Sequence, residues 1–523
     1  MGVAWVWGYA LLGTEAVPVR VEAHVRPGLP GMTIVGLPGV AVREARERVR
    51  SGASSAGMPL PAQRMTVNLS PADLRKEGPG LDLPVALALL AAAGRLPAGA
   101  LDSIGAHGEV ALDGLVRPVR GVLSVAETAG KMGVKILLLP ITALPEAAAV
   151  GHVDALGVRS LAEAVAAVAD IRVRERLRRR GRRWLRARST VPPHGDVHGP
   201  DMAEIAGHRH AKRALELAAA GGHHLLLLGS PGAGKTMLAR RVPSILPPLT
   251  RDESLEVTRI WSVAGLHPPE SGLICSRPLR APHHTASRSA LVGGGSLPRP
   301  GEVSLAHRGV LFLDELPEFS RDSVEALRQP LEDGMVTVSR RSGSCTFQAA
   351  CTLVAAMNPC PCGFLGHPQR TCRCAAEAQQ RYRQVLTGPL GDRIDIMVEV
   401  PPLTALALDE DVAGESSAVI RTRVLAAREF QISRETSAGG LFSPTNGAAR
   451  HPRLLEKRLC MSAAGSRLLR EALVRSALGG RGYVRVLAVS RTLADLEGSA
   501  GITQEHVAEA LALRLDVVAG ILA

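Results

Sequence analysis

The feature that most constrains the fold is a glycine-rich stretch between an apolar run and a helix-like run. Residues 229–236 read Gly-Ser-Pro-Gly-Ala-Gly-Lys-Thr and follow the apolar run His224–Leu228. This fits a phosphate-binding loop, in which backbone N–H groups face phosphates, the lysine reaches the β/γ oxygens and the threonine holds Mg²⁺. A purely structural turn is the alternative, which the strand–loop–helix context disfavours. The predicted nucleotide-binding residues are Gly229, Ser230, Pro231, Gly232, Ala233, Gly234, Lys235, Thr236 and Met237.

Two later apolar runs end in polar side chains. Gly309–Leu313 precedes Asp314 and Glu315, and the strand-like run before Asn358 ends in that amide. Alone, a strand running into solvent or an Asn-Pro turn would explain them. After a phosphate loop, we interpret Asp314 as the carboxylate that organises Mg²⁺ with Thr236, and Glu315 as the base that polarises the attacking water. Asn358 is the amide expected beside the γ-phosphate. Together these residues predict ATP hydrolysis.

Cysteine usage indicates a metal site. Four of the eight cysteines fall within fifteen residues, as two Cys-x-Cys pairs. In a reducing compartment such pairs close a tetrahedron around Zn²⁺ more readily than they form disulfides. The predicted ligands of this structural zinc are Cys360, Cys362, Cys372 and Cys374, with His367 as a substitute ligand.

The pattern of runs predicts an α/β chain of several domains. With 523 residues, 46% hydrophobic and 21% charged, the chain is long and apolar enough for several globular cores. β-like and Ala-rich helical runs alternate at first, then give way to an Arg-rich and Pro-rich stretch, a second α/β region and a helical end. The predicted segments are a domain at 1–168, a linker at 169–200, a core at 201–402 with a zinc-knuckle insert at 360–374, and a helical domain at 403–523.

The charge is concentrated in one place. Of the net charge of +13, a surplus of nine comes from ten arginines against Glu175 between Arg172 and Arg188. Such a run suggests a polyanionic partner, and a solvated helical linker is the alternative.

No membrane segment is expected. The longest apolar stretch, Leu83–Ala93, contains Pro84 and falls short of the roughly 20 residues that a spanning helix needs. No Lys or Arg precedes Arg20, so the positive region of a secretory signal is missing. We therefore expect a cytoplasmic protein.

Several further segments carry a family resemblance. Together with the motifs above, the chain resembles the YifB/ComM family of magnesium-chelatase-like AAA+ ATPases. The matching segments are Ala281–Ser287, Gly293–Gly295, Pro300–His307, Leu327–Glu332, Asn358–Gly363 and Gly388–Asp395.

The resemblance implies a P-loop core with a parallel sheet, a helical C-terminal lid and a ring, expected to be a homo-hexamer with nucleotide between subunits. Arg393 matches an arginine finger that reaches the neighbouring site. Arg485 matches a second sensor, with Arg491 as a rival position and a solvated helix charge as the alternative.

The resemblance also implies two insertions aimed at a central pore, at about 280–304 and 334–347. Arg340 and Arg341, in the second insertion, would suit the phosphates of a threaded DNA strand. Exposed turn arginines are the alternative explanation.

The N-terminal segment resembles the Lon-protease-like domain, with a ribosomal S5 domain 2-like fold. The resemblance lies in Val67–Gly80 and Gly108–Gly114. Gly80 stands where the protease has its serine, and Leu123–Val125 has no lysine where the protease has one. Without a Ser/Lys dyad we expect no peptidase activity.

The function that this resemblance implies is an ATP-driven ring motor on DNA, a ComM-like branch-migration helicase in recombination or natural transformation. Its substrate would be single-stranded or branched DNA. The alternative is a magnesium-chelatase-type motor subunit that remodels a protein partner. A scaffold that binds nucleotide without turnover is disfavoured by the presence of Lys235, Asp314 and Glu315.

Overall fold

A computed structural model describes most of the chain, namely residues 2–188, 200–268, 270–295, 298–340, 343–388, 390–402, 414–437, 459–475 and 479–522. These residues divide into two compact units. The first comprises the described parts of Met1–Gly195, Thr250–Cys275 and Thr337–Phe347, and the second those of Asp196–Leu249, Ser276–Val336 and Gln348–Ala523. Two segments from within the predicted 201–402 core therefore belong to the first unit.

The helices and strands follow in chain order. Up to residue 188 they are β1 (Val3–Leu12), β2 (Glu15–Arg26), β3 (Gly31–Val35), α1 (Val40–Ser55), β4 (Arg64–Ser70), α2 (Asp82–Ala92), β5 (Ile104–Ala106), β6 (Glu109–Val110), β7 (Val116–Arg117), α3 (Val122–Lys131), β8 (Ile136–Pro140), α4 (Leu144–Val150), β9 (Asp154–Val158), α5 (Leu161–Ala169) and α6 (Ile171–Arg188). From residue 200 to 305 they are α7 (Arg209–Gly221), β10 (Leu225–Leu228), α8 (Lys235–Arg240), α9 (Val242–Ile245), α10 (Arg251–Ala264), β11 (Leu279–Arg280), α11 (Arg288–Val292), β12 (Gly293–Gly294), β13 (Arg299–Pro300) and α12 (Glu302–Leu305). The remainder are β14 (Val310–Leu313), α13 (Arg321–Ala326), α14 (Arg328–Asp333), β15 (Met335–Arg340), β16 (Gly343–Gln348), β17 (Thr352–Met357), α15 (Ala376–Thr387), β18 (Ile396–Glu399), α16 (Ser417–Ser437), α17 (Ala463–Arg475), α18 (Gly480–Leu496) and α19 (Gln504–Leu522).

The first unit is built on a seven-stranded mixed sheet in the order β3-β4-β2-β1-β5-β8-β9. β1 and β2 form an antiparallel hairpin, and β5, β8 and β9 continue the sheet in parallel. β2 alternates between buried and exposed residues, as expected of a strand with one face on a core. Its buried residues Val19, Val21, Ala23 and Val25 pack in that core.

Helix α2 explains the longest apolar stretch in the sequence. Ten of its eleven residues are buried, so it is apolar on all sides because every side packs in the first unit's core. Among the described helices, none has the length and apolarity needed to cross a membrane.

The predicted linker at 169–200 begins with an ordered helix. Val173 and Leu177 of α6 pack into the core of the first unit, where α6 lies against α5 and β9. Arg178 pairs with Asp154, and Arg180 pairs with Glu163. Residues 189–199 lie outside the described residues.

Helix α10 also belongs to the first unit, although its sequence lies within the predicted core. The Ser262 hydroxyl donates to the buried carboxylate of Glu146 and accepts from the backbone N–H of Gly121 at 2.9 Å. The N–H of Leu123 donates to the same carboxylate at 2.7 Å. These bonds tie α10 to the start of α3 and to α4.

The second unit contains a five-stranded sheet in the order β11-β14-β17-β10-β18, with every pairing parallel. The predicted parallel sheet is confirmed. β10 lies between β17 and β18 and is fully buried, which matches its unbroken apolar sequence. Because all strands run the same way, the ends of β10, β14 and β17 meet at one edge.

Most of the described residues of the predicted helical domain at 403–523 are helical, as apolar spacing predicts. They form helices α16, α17, α18 and α19, and the apolar faces of these helices join the core around β10. Val424, Leu469, Leu487 and Val507 are buried there. Their action as a lid stays a prediction.

Candidate nucleotide-binding site

The phosphate loop connects β10 to α8. Gly232 and Gly234 have φ angles of 80° and 89°, which glycine adopts without strain. A Cβ on Gly229 would lie 2.3 Å from the carbonyl oxygen of Val400, so no larger residue fits there. The remaining loop residues differ in exposure: Ala233 is buried and Pro231 is exposed. Met237, the last predicted member, is partly buried against the unit's core.

The Lys235 ammonium lies inside this loop. It donates to the carbonyl oxygens of Gly229 at 2.6 Å and Ser230 at 3.0 Å, and to Oδ1 of Asn358 at 2.9 Å. Burial lowers the pKa of Lys235, whereas the nearby charges of Asp314 and Glu315 act to raise it. The cation is thus held among oxygen acceptors where a phosphate oxygen would lie.

The predicted magnesium ligands lie together. The Thr236 hydroxyl donates to Oδ2 of Asp314 at 2.7 Å. Neighbouring ligands of an octahedral Mg²⁺, each at about 2.1 Å from the metal, are about 3 Å apart. The separation of the two oxygens therefore fits an Mg²⁺ site at the junction of the phosphate loop and the end of β14.

Glu315 stands beside this pair with its carboxylate half exposed. The φ angle of Glu315 is 51°, which lies in the left-handed region. The backbone N–H of Glu315 donates to Oδ1 of the preceding Asp314 at 3.0 Å. A non-glycine residue in that region is uncommon and occurs where surroundings enforce it. The turn directs Glu315 away from the strand, accessible to water.

A residue to which the sequence assigned no role contacts Glu315. Nδ1 of His284 lies 3.4 Å from Oε2 of Glu315. The His284 ring packs at 4.1 Å on His283 and meets the edge of Phe319. The sequence feature that could have predicted this contact is the pair of adjacent histidines after β11. Because β11 pairs with β14, the two histidines come to the sheet edge where Glu315 lies.

The four cysteines gather as predicted for a metal centre. Their sulfur atoms all lie within 4.8 Å of one another, and the pairs Cys360–Cys362, Cys360–Cys372 and Cys362–Cys372 are 3.4, 3.6 and 3.6 Å apart. Zinc–sulfur bonds of 2.3 Å in a tetrahedron require separations of about 3.8 Å. Backbone N–H groups of Arg373 and Phe364 lower the pKa of Cys362 to about 6, whereas burial raises that of Cys360 to about 12. The donor set therefore fits Zn²⁺.

This cysteine cluster abuts the phosphate loop. Gly363 has a φ of 82°, and a Cβ on it would lie 2.4 Å from Cδ and 2.5 Å from Cγ of Pro231. The segment leaves β17 directly after Asn358. Gly363, which follows Cys362, is therefore packed closely against the loop. His367, the substitute ligand, has its Nδ1 engaged by the N–H of Gln369 at 3.1 Å.

Arg393 and Arg485 lie in one buried network. Arg393 is almost completely buried and pairs with Glu332; burial lowers its pKa. Arg485 pairs with the buried Asp395 and donates to the carbonyl oxygen of Arg393 at 2.8 Å. Burial acts to raise the pKa of Asp395, but the charges of Arg485, His223 and His224 and the N–H of His224 together outweigh it, and the pKa lies below its ordinary value. Reaching a neighbouring subunit would require Arg393 to leave Glu332.

The rival sensor position, Arg491, is also engaged within the fold. It donates to Asp495 at 2.9 Å and to the carbonyl oxygens of Ser499 and Ala500. These bonds cap the end of α18, which is a structural role. Because Arg485 and Arg491 are both engaged within the fold, the sensor role of Arg485 stays a prediction.

The hairpin of β15 and β16 occupies the second predicted insertion. Thr337 and Thr346 face each other with hydroxyl oxygens 3.2 Å apart, as do Ser339 and Ser344 at 3.1 Å. The Arg340 side chain and Arg341 lie outside the described residues, so their predicted DNA contacts stay predictions.

Comparison with known proteins identifies a family over most of the chain. Family models described as "Magnesium chelatase, subunit ChlI", "Subunit ChlI of Mg-chelatase" and "Magnesium chelatase, subunit ChlI C-terminal" match residues 201–408, 21–143 and 414–514. The uncharacterized protein YifB of Salmonella typhimurium is 41% identical over 98% of this chain and 97% of its own length. The competence protein ComM of Haemophilus influenzae is 40% identical over 98% of each chain.

A more distant match is limited to part of the chain. The DNA replication licensing factor mcm2 of Schizosaccharomyces pombe is 25% identical over 44% of this chain and 26% of its own length.

Proposed function

The chain belongs to the YifB/ComM family of magnesium-chelatase-like AAA+ ATPases, and we propose on that premise that it is an ATP-hydrolysing ring motor that moves on DNA. The proposal of ATP hydrolysis rests on the observation that three motifs meet at one edge of the sheet. Thr236 bonds Asp314, and Lys235 bonds Asn358. Family membership supplies the AAA+ ATPase class, and action on DNA is the finer part of the proposal.

Each residue at the edge has one task in this proposal. The loop N–H groups and Lys235 bind the β/γ phosphates, and Asn358 orients the attacking water beside the γ-phosphate. Glu315 accepts the proton of that water. Thr236 and Asp314 would hold Mg²⁺, which when bound neutralises developing charge on the phosphate oxygens.

Assembly supplies the rest of the proposed motor. In a hexamer, the Arg393 of one subunit would exchange Glu332 for the nucleotide of its neighbour, and Arg485 would report nucleotide state to the C-terminal helices acting as a lid. The Cys₄ centre would hold a structural zinc. We propose a cytoplasmic location, with no membrane contact.

DNA is favoured as the substrate by two observations. One is the partial similarity to a DNA replication licensing factor, and the other is the arginine surplus on α6. Single-stranded or branched DNA, as a branch-migration helicase in recombination or natural transformation would use, is the proposed form. The second candidate is a magnesium-chelatase-type motor subunit that remodels a protein, favoured by the family models that match 201–408 and 414–514.

ATP hydrolysis by the purified chain tests the proposal. Hydrolysis is measured without DNA, with single-stranded DNA and with a four-way junction. The proteins compared are the wild type, Glu315→Gln and the control Glu318→Gln, which changes an exposed carboxylate three residues away. We expect DNA to stimulate turnover in the wild type and the control, and Glu315→Gln to abolish it. Turnover that is indifferent to every DNA would favour the protein-remodelling motor, and unchanged turnover in Glu315→Gln would refute the assigned base.

A further inference from the structure

Helix α6 separates its arginines into two groups. Its core-facing arc holds Val173, Leu177 and the buried Gly181, whose Cβ position lies 3.1 Å from Leu144. The arginines beside this arc, Arg178 and Arg180, are paired with acids. Arg172, Arg176, Arg179, Arg182, Arg183 and Arg186 are exposed.

Five exposed arginines form one stripe on the outward face. Their spacing of four, three, four and three residues returns to the same side of a helix at every turn. At 100° per residue they fall within about 80° of arc and extend over about 21 Å along the axis. The stripe consists of Arg172, Arg176, Arg179, Arg183 and Arg186.

The acids near α6 are used elsewhere. Arg178 pairs with Asp154 of β9 and with Glu175, and Arg180 makes two bonds to Glu163 of α5 at 2.6 and 2.7 Å. Within the described residues, no acid lies within ion-pair distance of a stripe arginine. Five positive charges on one ordered surface are therefore uncompensated, which costs self-repulsion unless a polyanion binds.

The chemistry of the stripe favours a nucleic-acid backbone over a membrane. A helix that lies in a lipid interface needs its apolar face free, and that face of α6 is already buried in the core. Guanidinium groups bind phosphate oxygens in a bidentate way. About 21 Å corresponds to about six nucleotides of one B-DNA strand at 3.4 Å each. The stripe contains no aromatic residue for stacking on bases, so its contacts would not depend on sequence.

We propose that the outward stripe of α6 binds the sugar–phosphate backbone of DNA, independently of base sequence. This proposal rests on the proposed action on DNA and assigns a surface to it outside the nucleotide site. It gives the first unit a substrate-holding role that needs no peptidase chemistry.

The test compares two triple variants of equal charge change. The stripe variant is Arg176→Gln, Arg179→Gln and Arg183→Gln together, because glutamine keeps helix propensity. The control is Arg43→Gln, Arg46→Gln and Arg50→Gln, which removes three exposed arginines from α1 of the same unit. Binding of the full-length chain to fluorescent single-stranded and duplex DNA is measured by anisotropy at several salt concentrations, together with DNA-free ATP hydrolysis and thermal unfolding.

We expect the dissociation constant of the stripe variant for DNA to rise at least about tenfold at 100 mM salt. For duplex DNA, the slope of log affinity against log salt concentration should become shallower by about 2.7, because each of the three lost phosphate contacts contributes about 0.9. The control should stay within twofold of the wild type, and DNA-free hydrolysis should be unchanged in both. Equal affinities for wild type and stripe variant, or equal losses in both variants, would overturn the stripe while leaving the DNA motor standing. Wild-type protein that binds neither DNA at any of the salt concentrations would overturn both proposals.

Discussion

The contact between the cysteine cluster and the phosphate loop can be tested with two glycines of the same segment. Gly363 and Gly366 both have positive φ angles, 82° and 73°, so alanine at either position costs about 1–2 kcal/mol of backbone strain. They differ in surroundings. A Cβ on Gly363 would meet the Pro231 ring at 2.4 Å, whereas nothing lies within 4 Å of a Cβ on Gly366. Gly366→Ala is therefore the matched control for Gly363→Ala.

The size of the effect follows from the overlap. Carbon atoms in contact are normally about 3.5–4.0 Å apart, so Gly363→Ala must displace the Pro231 ring, and the phosphate loop with it, by about 1 Å. A misplacement of that size at a catalytic site costs on the order of 100-fold in rate. We expect kcat/KM for ATP to be about 10- to 100-fold lower in Gly363→Ala than in Gly366→Ala, with similar zinc content in both.

Steady-state hydrolysis, zinc analysis and thermal unfolding measure these quantities. Adding Pro231→Ala removes both atoms that the new methyl group meets, so the double variant should recover most of the lost kcat/KM. Equal kcat/KM in the two single variants, or no recovery in the double variant, would refute the idea that the cluster positions the phosphate loop.

Three further predictions follow from single contacts. Lys235→Ala removes a charged donor and should weaken ATP binding, measured by calorimetry, by about 10- to 150-fold (about 1.5–3 kcal/mol), and unchanged affinity would contradict its placement. His284→Ala removes the partner of the Glu315 carboxylate, and a part-exposed pair of this kind contributes about 1 kcal/mol or less. ATP turnover without DNA should therefore rise by up to about fivefold in His284→Ala and stay unchanged in the control His283→Ala. A fall in turnover would contradict this prediction. Burial raises the pKa of Asp82 to about 6 despite its bonds with Arg48, so its folded form keeps a proton that the unfolded chain loses near pH 4. Relative to Asp82→Asn, the wild-type free energy of unfolding should therefore fall by about 3 kcal/mol in total, most of it between pH 4 and pH 6, and level off near pH 7, as chemical denaturation would report. A difference that is flat with pH would contradict the assignment.

The sequence predicted those features that depend on local pattern. The fully apolar β10, the helices after residue 416 and the glycine-rich loop between β10 and α8 are confirmed as elements, because each is encoded within one short stretch. The meeting of Lys235, Asp314 and Asn358 also followed, since parallel strands end at a common edge.

What the sequence did not predict depends on partners far along the chain. Arg393 is buried because Glu332, 61 residues away, neutralises it. Helix α10 joins the first unit through the bond of Ser262 to Glu146, 116 residues away. The Arg-rich run was expected as a linker or a basic surface, and it forms helix α6, whose apolar face packs in a core. No periodicity encodes such pairings.

In the proposed motor, ATP hydrolysis at the edge of the second unit's sheet drives movement on DNA. Separation of a fluorescently labelled four-way junction into duplex products by the purified full-length chain tests this directly. We expect product formation with ATP and Mg²⁺ by the wild type and Glu318→Gln, and none with Glu315→Gln. Products that form equally without ATP or with Glu315→Gln, or a wild type that hydrolyses ATP yet leaves the junction intact, would contradict it.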